Sequence, residues 1–243
     1  MTLLTVVFDS AEPLGYHRLH RVWEHTERET MPGANVVTLH LDPPAELTTR
    51  RRQGEPAIHA NHHRLRACDR YIQTHHDDII MTDCDMLFLG DLSTAFDDYD
   101  FDIALTYRDT PGSRIPINGG VVMVRNTAAA REFIGLWRES DDYLFEHRKR
   151  LLKWTPIHKG INQSSLARVL SREEYSANIA YLPCSRYNAC DQDWQYIETN
   201  PPLCVHIKSA LRNVVLSGKA INRMKPSLRA AARAWRDANA AAG

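Results

Sequence analysis

The sequence predicts an α/β protein with a mostly parallel central sheet that is flanked by helices. Short apolar, β-branched runs alternate with longer segments of helical periodicity along the 243 residues, and this alternation is typical of βαβ units. The length is sufficient for one substantial core. Because no internal repeat or linker is visible, we expect one domain over residues 1–225, followed by a basic amphipathic helix over residues 226–243.

The first half of the chain contains apolar runs that end in polar or proline-containing segments, and stretches with apolar residues at helical spacing. Strands are predicted at residues 3–8, 36–41 and 79–81, and helices at residues 16–30 and 59–75. Residues 45–57 contain three consecutive arginines, a glycine and a proline, so we expect a loop there.

The second half continues the alternation. Strands are predicted at residues 102–106, 119–124, 179–182 and 203–207, and helices at residues 128–139, 141–153, 161–171 and from 226 to the end. Ligands of such sheets bind at the carboxyl ends of the strands. We therefore expect the acidic residues that follow several strands to share one edge of the sheet.

The composition excludes several broad classes of protein. Thirty acidic and thirty basic residues cancel, so the overall charge does not point to a polyanion as partner. No apolar run reaches the ~20 residues that span a bilayer, and the first residues lack the pattern of a signal peptide. Five cysteines without a Cys-x-x-Cys pair favour reduced thiols and a cytoplasmic protein.

Residues 77–91, DDIIMTDCDMLFLGD, place two carboxylates between two apolar runs. An unpaired carboxylate is costly to bury, so Asp83 and Asp85 must emerge at the strand end or be compensated. Residues i and i+2 of an extended segment point the same way, which lets both carboxylates converge while Cys84 points elsewhere. Two neighbouring anions need a positive partner, and oxygen ligands of this kind suit Mg²⁺ or Mn²⁺.

Other interpretations of the Asp-x-Asp pattern remain open at this point. The pattern arises by chance in a chain of which a quarter is charged. It also ends a hydrophobic strand in phosphatases of the haloacid dehalogenase type, where the two aspartates act as nucleophile and acid. The rest of the chain has to distinguish between these possibilities.

Five motifs follow one another in a fixed order between residues 59 and 212. They are HRL at residues 63–65 with DCD at 83–85 and Asp91-Leu92, PINGGV at 116–121, GINQ at 160–163, Leu182-Pro183 with Tyr187-Asn188, and VHIKSALR at 205–212. In this order they resemble the motifs of GT-A glycosyltransferases, most closely the retaining galactosyl- and glucosyltransferases of family 8. The chain departs from that family at Asn162, Ser209 and Arg212, where relatives have Asp, Gly and Lys.

The resemblance implies a GT-A fold and a hexosyltransferase that uses a nucleoside-diphosphate sugar, with UDP-sugars favoured, and acts with retention. It also implies Mn²⁺ or Mg²⁺ as cofactor, with His206 as a third metal ligand beside Asp83 and Asp85. Negative charge develops on the leaving diphosphate during such a reaction, and a divalent cation stabilises it without proton transfer.

The remaining candidate residues divide between donor binding and catalysis. The donor-binding candidates are Phe8, Asp9, Ser10, Arg64, Cys84, Lys208 and Arg212, of which the cations suit phosphate oxygens. Asn118 precedes two glycines and is a candidate for contacts with sugar hydroxyls, beside Asn162 and Gln163. Because an amide is a poor nucleophile, Gln163 favours a front-face mechanism with electrostatic support over a double displacement.

The segment from Lys208 to Arg236 holds eight Lys or Arg and no acidic residue. A docked helix with a solvated basic side is the plainest interpretation, and contact with an anionic membrane or with DNA are the others. We expect the acceptor among glycans, lipid-linked sugars or modified DNA, and no obligate protein partner. The loops at residues 43–58 and 140–160 are expected to form the acceptor pocket. The paired histidines at 62–63 and 75–76 diverge on a helix, so we expect no second metal there.

Two alternatives to a glycosyltransferase stay under consideration. A dehalogenase-type phosphatase requires its Asp-x-Asp pattern near the start of the domain, whereas two predicted strands precede the pattern here. A catalytically silent nucleotide-sugar-binding domain of the same fold is kept open because Asn162 replaces the usual Asp.

Overall fold

The computed structural model describes residues 1–9, 16–43, 55–108 and 116–243. These residues form a six-stranded sheet, a two-stranded sheet and a set of helices. The predicted α/β class is confirmed.

The elements of the first half follow the predicted order closely. They are β1 (Thr2–Phe8), α1 (Tyr16–Thr30), β2 (Asn35–Leu41), α2 (Glu55–Thr74), β3 (Ile79–Thr82), β4 (Met86–Phe88), a 3₁₀ turn (Leu92–Thr94), α3 (Ala95–Asp98) and β5 (Ile103–Tyr107).

The second half contains more short helices than the sequence predicts. Its elements are β6 (Ile117–Val124), α4 (Ala128–Glu146), α5 (Arg148–Leu151), α6 (Thr155–His158), α7 (Ile161–Leu170), β7 (Ile179–Pro183), α8 (Cys184–Tyr187), a 3₁₀ segment (Asp191–Tyr196), β8 (Cys204–His206), α9 (Ser209–Leu216), a 3₁₀ turn (Ile221–Arg223) and α10 (Pro226–Ala241).

The larger sheet has the strand order β2-β1-β3-β6-β5-β7. Among the strands that the structure describes, β6 runs against both of its neighbours and the other five run in one direction. The sheet is therefore mostly parallel, as predicted. The reversal of β6 leaves no trace in the sequence, because every residue of this strand is buried, as is usual for a strand of a parallel sheet.

Alternate residues of the central strands pack on opposite faces of the sheet. Ile79 and Met81 of β3 belong to one core cluster, together with Phe133 of α4. Ile80 belongs to a second cluster, together with Trp23 of α1. Burial on both faces explains why β3 is an uninterrupted apolar run in the sequence.

One local prediction is wrong. The sequence predicts a break near residue 140, but α4 is continuous, because Ser140 and Asp141 are buried and hydrogen-bonded to other helices. Helix α9 and strand β4 are absent from the prediction. β4 has only three residues, and its pairing with β8 stabilises it, which a local pattern cannot reveal.

The last helix, α10, packs into the core. Its residues Leu228 and Trp235 are buried in a cluster with Leu19 of α1 and Leu211 of α9. The guanidinium of Arg18 lies 5.0 Å from the centre of the Trp235 ring. The basic helix is thus docked on α1, and a domain boundary at residue 225 stays a prediction. None of the helices that the structure describes has the length and apolar character needed to cross a bilayer.

Candidate active site

The two carboxylates of the Asp-x-Asp pattern lie in the turn between β3 and β4. The sequence predicts an extended segment here, but the chain turns at Cys84 and Asp85. Convergence of the two side chains therefore comes from the turn and not from the pleat of a strand. The backbone N–H of Asp83 donates to the carbonyl of Gly120 at 3.0 Å, which attaches the start of the turn to β6.

The two-stranded sheet brings His206 to this turn. Met86 of β4 pairs with His206 of β8, and Ile207 donates its N–H to the carbonyl of Asp85 at 2.8 Å. Nε2 of His206 consequently lies 3.3 Å from Oδ1 of Asp85 and 3.5 Å from Oδ2 of Asp83. The three potential ligand atoms lie within 4.8 Å of one another. Two carboxylate oxygens and an imidazole nitrogen are a donor set that suits Mn²⁺.

Positive side chains of the protein compensate the paired carboxylates. Nη2 of Arg64 lies 3.0 Å from Oδ1 of Asp83, and Arg212 forms an ion pair with Asp85. Burial alone would raise the pKa of Asp85, but His206 and Arg212 outweigh this effect and hold that pKa well below its ordinary value. Asp85 is thereby kept in the ionised form that a metal ligand requires.

A pocket of about 160 Å³ opens beside the carboxylates. It is lined by Asn61, Arg64, Asp83, Asn118, Gly119, Gly120, Gly160, Asn162, Gln163, His206 and Lys208. Most of the residues predicted from the sequence are therefore brought together, although they come from opposite ends of the chain.

Two buried polar groups in the pocket wall have no hydrogen-bond partner among the described residues. Nε of Arg64, which is 7% exposed, donates to no acceptor, whereas Nη2 forms the ion pair with Asp83. Oδ1 of Asn162 accepts no hydrogen bond, whereas its Nδ2 donates to Oδ1 of Asn61 at 3.3 Å. Buried polar groups normally find partners. The unfilled donor and the unfilled acceptor fit a ligand that offers both anionic oxygens and hydroxyl groups.

Backbone contacts orient the other two amides of the pocket. Nε2 of Gln163 donates to the carbonyl of Ile117 at 3.1 Å, and Oδ1 of Asn118 accepts from the N–H of Gly120 at 3.2 Å. Gly160 has a φ of 94° immediately before α7, a conformation that glycine adopts without strain. This turn places the first residues of α7, including Gln163, at the pocket.

The other predicted residues do not line the pocket. Asp85 and Arg212 form their ion pair next to it. Phe8 and Asp9 end β1, at the sheet edge where β3 also ends, and Oδ1 of Asp9 lies 2.6 Å from Nδ1 of His40. Cys84 lies in the turn, where burial raises the pKa of its thiol. Ser10 and most of the first predicted acceptor loop, residues 44–54, lie outside the described part of the chain, and the second predicted loop, residues 140–160, is mostly helical.

Sequence reasoning missed three contributors to the site. Asn61 lies three residues before Arg64 on α2, and this helical spacing is a signal that points to a shared face. Oδ1 of Asn188 lies 3.2 Å from Nδ1 of His206, and Nδ2 of Asn188 donates to Oγ1 of Thr106 at 2.9 Å. No local pattern reveals Thr106 or the role of Asn188, because both act through residues that are distant in sequence.

A second group of potential metal ligands lies between α2 and α4 and consists of His62, Asp141 and Asp142. Nδ1 of His62 lies 2.6 Å from Oδ2 of Asp141. Asp142 is paired with Arg66 and Arg138. Because His62 and Asp141 are buried against each other and Asp142 is shared by two arginines, we interpret the group as a polar network that holds the two helices together.

The comparison with protein families agrees with this geometry. A family model described as nucleotide-diphospho-sugar transferase matches residues 35–213, well over half of the chain. The chain belongs to this family. No curated protein matches the sequence of this transferase.

Solved glycosyltransferase structures share the fold of the transferase. A glycosyltransferase involved in glycosylation of the major capsid of PBCV-1 is 14% identical, with a TM-score of 0.58 over 87% of this chain and 95% of that chain. The galactosyltransferase LgtC, in complex with donor and acceptor sugar analogs, is 12% identical, with a TM-score of 0.55 over 99% and 96%. GlyE of Streptococcus pneumoniae TIGR4 is 15% identical, with a TM-score of 0.55 over 99% of this chain and 63% of that chain.

These comparisons confirm the predicted GT-A fold and the resemblance to glycosyltransferases of family 8. They also confirm that the transferase is a glycosyltransferase. At such low identities the structural likeness shows the fold alone, and the chemistry has to be argued from the site. The phosphatase and the silent-domain alternatives receive no support.

Proposed function

We propose that this transferase moves a hexose from a UDP-sugar to an acceptor in a reaction that depends on Mn²⁺ or Mg²⁺ and retains the anomeric configuration. The observation that carries the proposal is the arrangement of Asp83, Asp85 and His206. Their two oxygens and one nitrogen lie within 4.8 Å of one another beside a polar pocket.

The groups around the carboxylates suit a diphosphate. A bound divalent cation would supply positive charge to the phosphate oxygens of the leaving group. Lys208 lines the same pocket, and Nε of Arg64 is a buried donor that has no acceptor among the described residues. Arg212 adds a further positive charge next to Asp85. Fixed cations in a partly buried site stabilise the negative charge that develops on the departing diphosphate.

The nucleoside and the sugar are assigned to different sides of the site. Phe8 and Asp9, with the adjacent Ser10 and with Cys84 of the turn, are the proposed contacts of the nucleoside side, because β1 and β3 end at one sheet edge. Asn118, Asn162 and Gln163 are the proposed contacts of the sugar, because they line the pocket next to the carboxylates. An amide in the position of Gln163 supports a cationic sugar electrostatically, which favours attack on the face that the diphosphate leaves.

The acceptor side of the proposal rests on charge. The turn between α9 and α10, residues 217–225, contains three exposed basic residues, which are Lys219, Arg223 and Lys225. Such a surface attracts anionic partners. We propose a cytoplasmic enzyme that acts on a glycan or a lipid-linked sugar. Its turn between α9 and α10 would contact an anionic membrane surface. Modified DNA is the other anionic acceptor to be tested.

The test is a panel of nucleotide sugars incubated with the enzyme in the presence of Mn²⁺, Mg²⁺ or EDTA, with release of free nucleotide as the readout. We expect UDP release from a UDP-hexose with metal, loss of release with EDTA, and recovery when metal is restored. The anomeric coupling in the NMR spectrum of a transfer product reports retention or inversion. UDP release that is equal with and without metal, or binding of no nucleotide sugar at all, would contradict the proposal.

A further inference from the structure

We infer that Asn188 is a positioning residue that accepts the Nδ1–H of His206 and thereby directs Nε2 of the imidazole to the carboxylates. The inference rests on the proposed function, because it assigns a role to Asn188 in preparing a metal ligand. Its first part, the proton on Nδ1, is independent of whether a metal binds.

The assignment begins at Thr106, which is fully buried. Its hydroxyl donates to the carbonyl of Asn118 at 2.6 Å. A threonine hydroxyl has a single proton, so after this bond it can only accept from other partners. The polar atom of Asn188 that lies 2.9 Å away must therefore be the donor, which is Nδ2 of the amide.

The orientation of the Asn188 amide determines which atom is the donor in its hydrogen bond with His206. With Nδ2 directed to Thr106, the carbonyl oxygen Oδ1 is the atom that lies 3.2 Å from Nδ1 of His206. An amide oxygen can only accept a hydrogen bond. Nδ1 of His206 must therefore carry a proton, which leaves Nε2 as the ring nitrogen that can bind a metal.

This second nitrogen lies on the metal side of the ring. Nε2 of His206 is 3.3 Å from Asp85 and 3.5 Å from Asp83, the two carboxylates of the candidate metal site. Metal-binding histidines commonly donate their second N–H to a neighbouring acceptor, which sets the tautomer and the ring orientation. Asn188 supplies such an acceptor on a neutral side chain.

The surroundings leave this chain of hydrogen bonds without an obvious substitute. Asn188 is 0% exposed and His206 is 6% exposed, so bulk water does not replace a lost partner. A Cβ atom on Gly120 would lie 3.2 Å from Nδ2 of Asn188 and 2.8 Å from the ring of His206. The two side chains are therefore held against the backbone of β6 in one arrangement.

The first measurement is the protonation of Nδ1 of His206 in the metal-free wild type. Long-range ¹H–¹⁵N correlation spectra of protein with ¹⁵N-labelled histidine distinguish a protonated from an unprotonated ring nitrogen. We expect His206, assigned by its absence in His206→Ala, to be protonated at Nδ1. A ring that is unprotonated at Nδ1 would overturn the inference.

The second measurement is Mn²⁺ affinity, determined by calorimetry without substrate. We expect Asn188→Leu, which has a similar volume and no acceptor, to bind Mn²⁺ about 10–100-fold more weakly. Asn188→Asp keeps an acceptor for Nδ1–H but loses the donor to Thr106, so it should bind Mn²⁺ more tightly than Asn188→Leu does. This partial rescue distinguishes a positioning role from a loss of folding.

A double-mutant cycle separates the two possible origins of a loss. In a His206→Ala background, we expect Asn188→Leu to cause no further loss of Mn²⁺ affinity, because the residue it positions is absent. An equal loss in both backgrounds would show a general structural effect and overturn the inference. Failure of the wild type to bind Mn²⁺ would instead contradict the proposed function, and the ¹H–¹⁵N spectrum would still decide the role of Asn188.

Discussion

Gly120 of β6 lies directly against the imidazole of His206, so that a Cβ atom on this glycine would be 2.8 Å from both Cε1 and Nδ1 of the ring. The carbonyl of Gly120 also accepts the N–H of Asp83. One residue without a side chain thus contacts two of the three candidate metal ligands. The backbone of β6 is the surface against which this site is assembled.

Gly120→Ala is expected to displace His206 and to weaken metal-dependent binding of UDP by at least about 10-fold, in line with the effect of misplacing a ligand. Forcing a methyl group into a packed site typically costs about 1–3 kcal/mol of unfolding free energy. Calorimetry of UDP with Mn²⁺, together with denaturant unfolding, measures the two effects.

Gly119→Ala is the matched control for this substitution. The neighbouring glycine also lines the pocket, but a Cβ atom there would meet no atom within 4 Å. We expect this variant to bind Mn²⁺ alone as the wild type does. Equal losses of Mn²⁺ affinity in the two variants would show that the close approach of Gly120 to His206 is not the cause.

Asn61→Ala tests the amide pair at the sugar side. The substitution removes the acceptor of Asn162 Nδ2, so Asn162 is expected to lose its orientation in the pocket. Loss of one such hydrogen bond costs about 0.5–1.5 kcal/mol of free energy. We expect the Kd of the UDP-sugar to rise by the corresponding factor and the Kd of UDP to change little. Asn178→Ala, at an exposed residue that donates to Asp100, is the control. An equal effect of Asn61→Ala on UDP and UDP-sugar would contradict a role at the sugar.

Local sequence patterns predict the helices and strands whose formation depends on residues that are close together in the chain. Helix α1 was predictable over residues 16–30 because its apolar residues recur at helical spacing, and the structure has it at Tyr16–Thr30. Strand β3 was predictable because it is buried on both faces. The direction of β6 was not, since a fully buried strand has the same composition in either direction.

In the candidate site, the sequence predicts the residue types but not the contacts between them. The residue types of Asp83, Asp85 and His206 predict metal-ligand chemistry, but their contact depends on the pairing of β4 with β8 across more than a hundred residues. Arg212 is predicted to hold phosphate, and in the structure it pairs with Asp85. Such ion pairs form between distant segments, and no pattern of spacing encodes them.

Tyr16 is expected to make stability depend on alkaline pH. Burial raises the pKa of Tyr16 to about 12, although Arg212, which donates to its hydroxyl, acts in the opposite direction. The tyrosine of the unfolded chain ionises near pH 10. Between pH 10 and about 12 the unfolded chain therefore loses this proton before the folded protein does, and stability falls as the pH rises.

Tyr16→Phe should remove this contribution. We expect the wild type to lose more unfolding free energy than the variant between pH 10 and 12, and the difference between them to be constant at lower pH. Denaturant unfolding at a series of pH values measures this slope. Tyr196→Phe, at a residue that is 55% exposed, serves as control. Parallel curves for the wild type and Tyr16→Phe would refute the assignment.

Trp235→Ala tests whether the basic C-terminal helix is part of the core. Trp235 is 1% exposed and packs in the cluster formed by α1, α9 and α10. Truncation of a buried tryptophan typically costs about 3–5 kcal/mol of unfolding free energy. Arg233→Ala on the same helix removes only an exposed ion pair with Glu198 and should change stability by less than about 1 kcal/mol. Similar effects of the two substitutions would show that α10 is not docked as the structure has it.

The central claim is that Asp83, Asp85 and His206 bind a divalent cation that holds the nucleotide. Calorimetry of UDP binding, with and without Mn²⁺, tests it most directly in the wild type, in Asp85→Asn and in the control Asp98→Asn, which changes an exposed carboxylate of α3. We expect Mn²⁺ to strengthen UDP binding in the wild type and in Asp98→Asn, and to have no effect in Asp85→Asn, which should remain folded by circular dichroism. UDP binding by Asp85→Asn that depends on Mn²⁺ as strongly as in the wild type would contradict the claim.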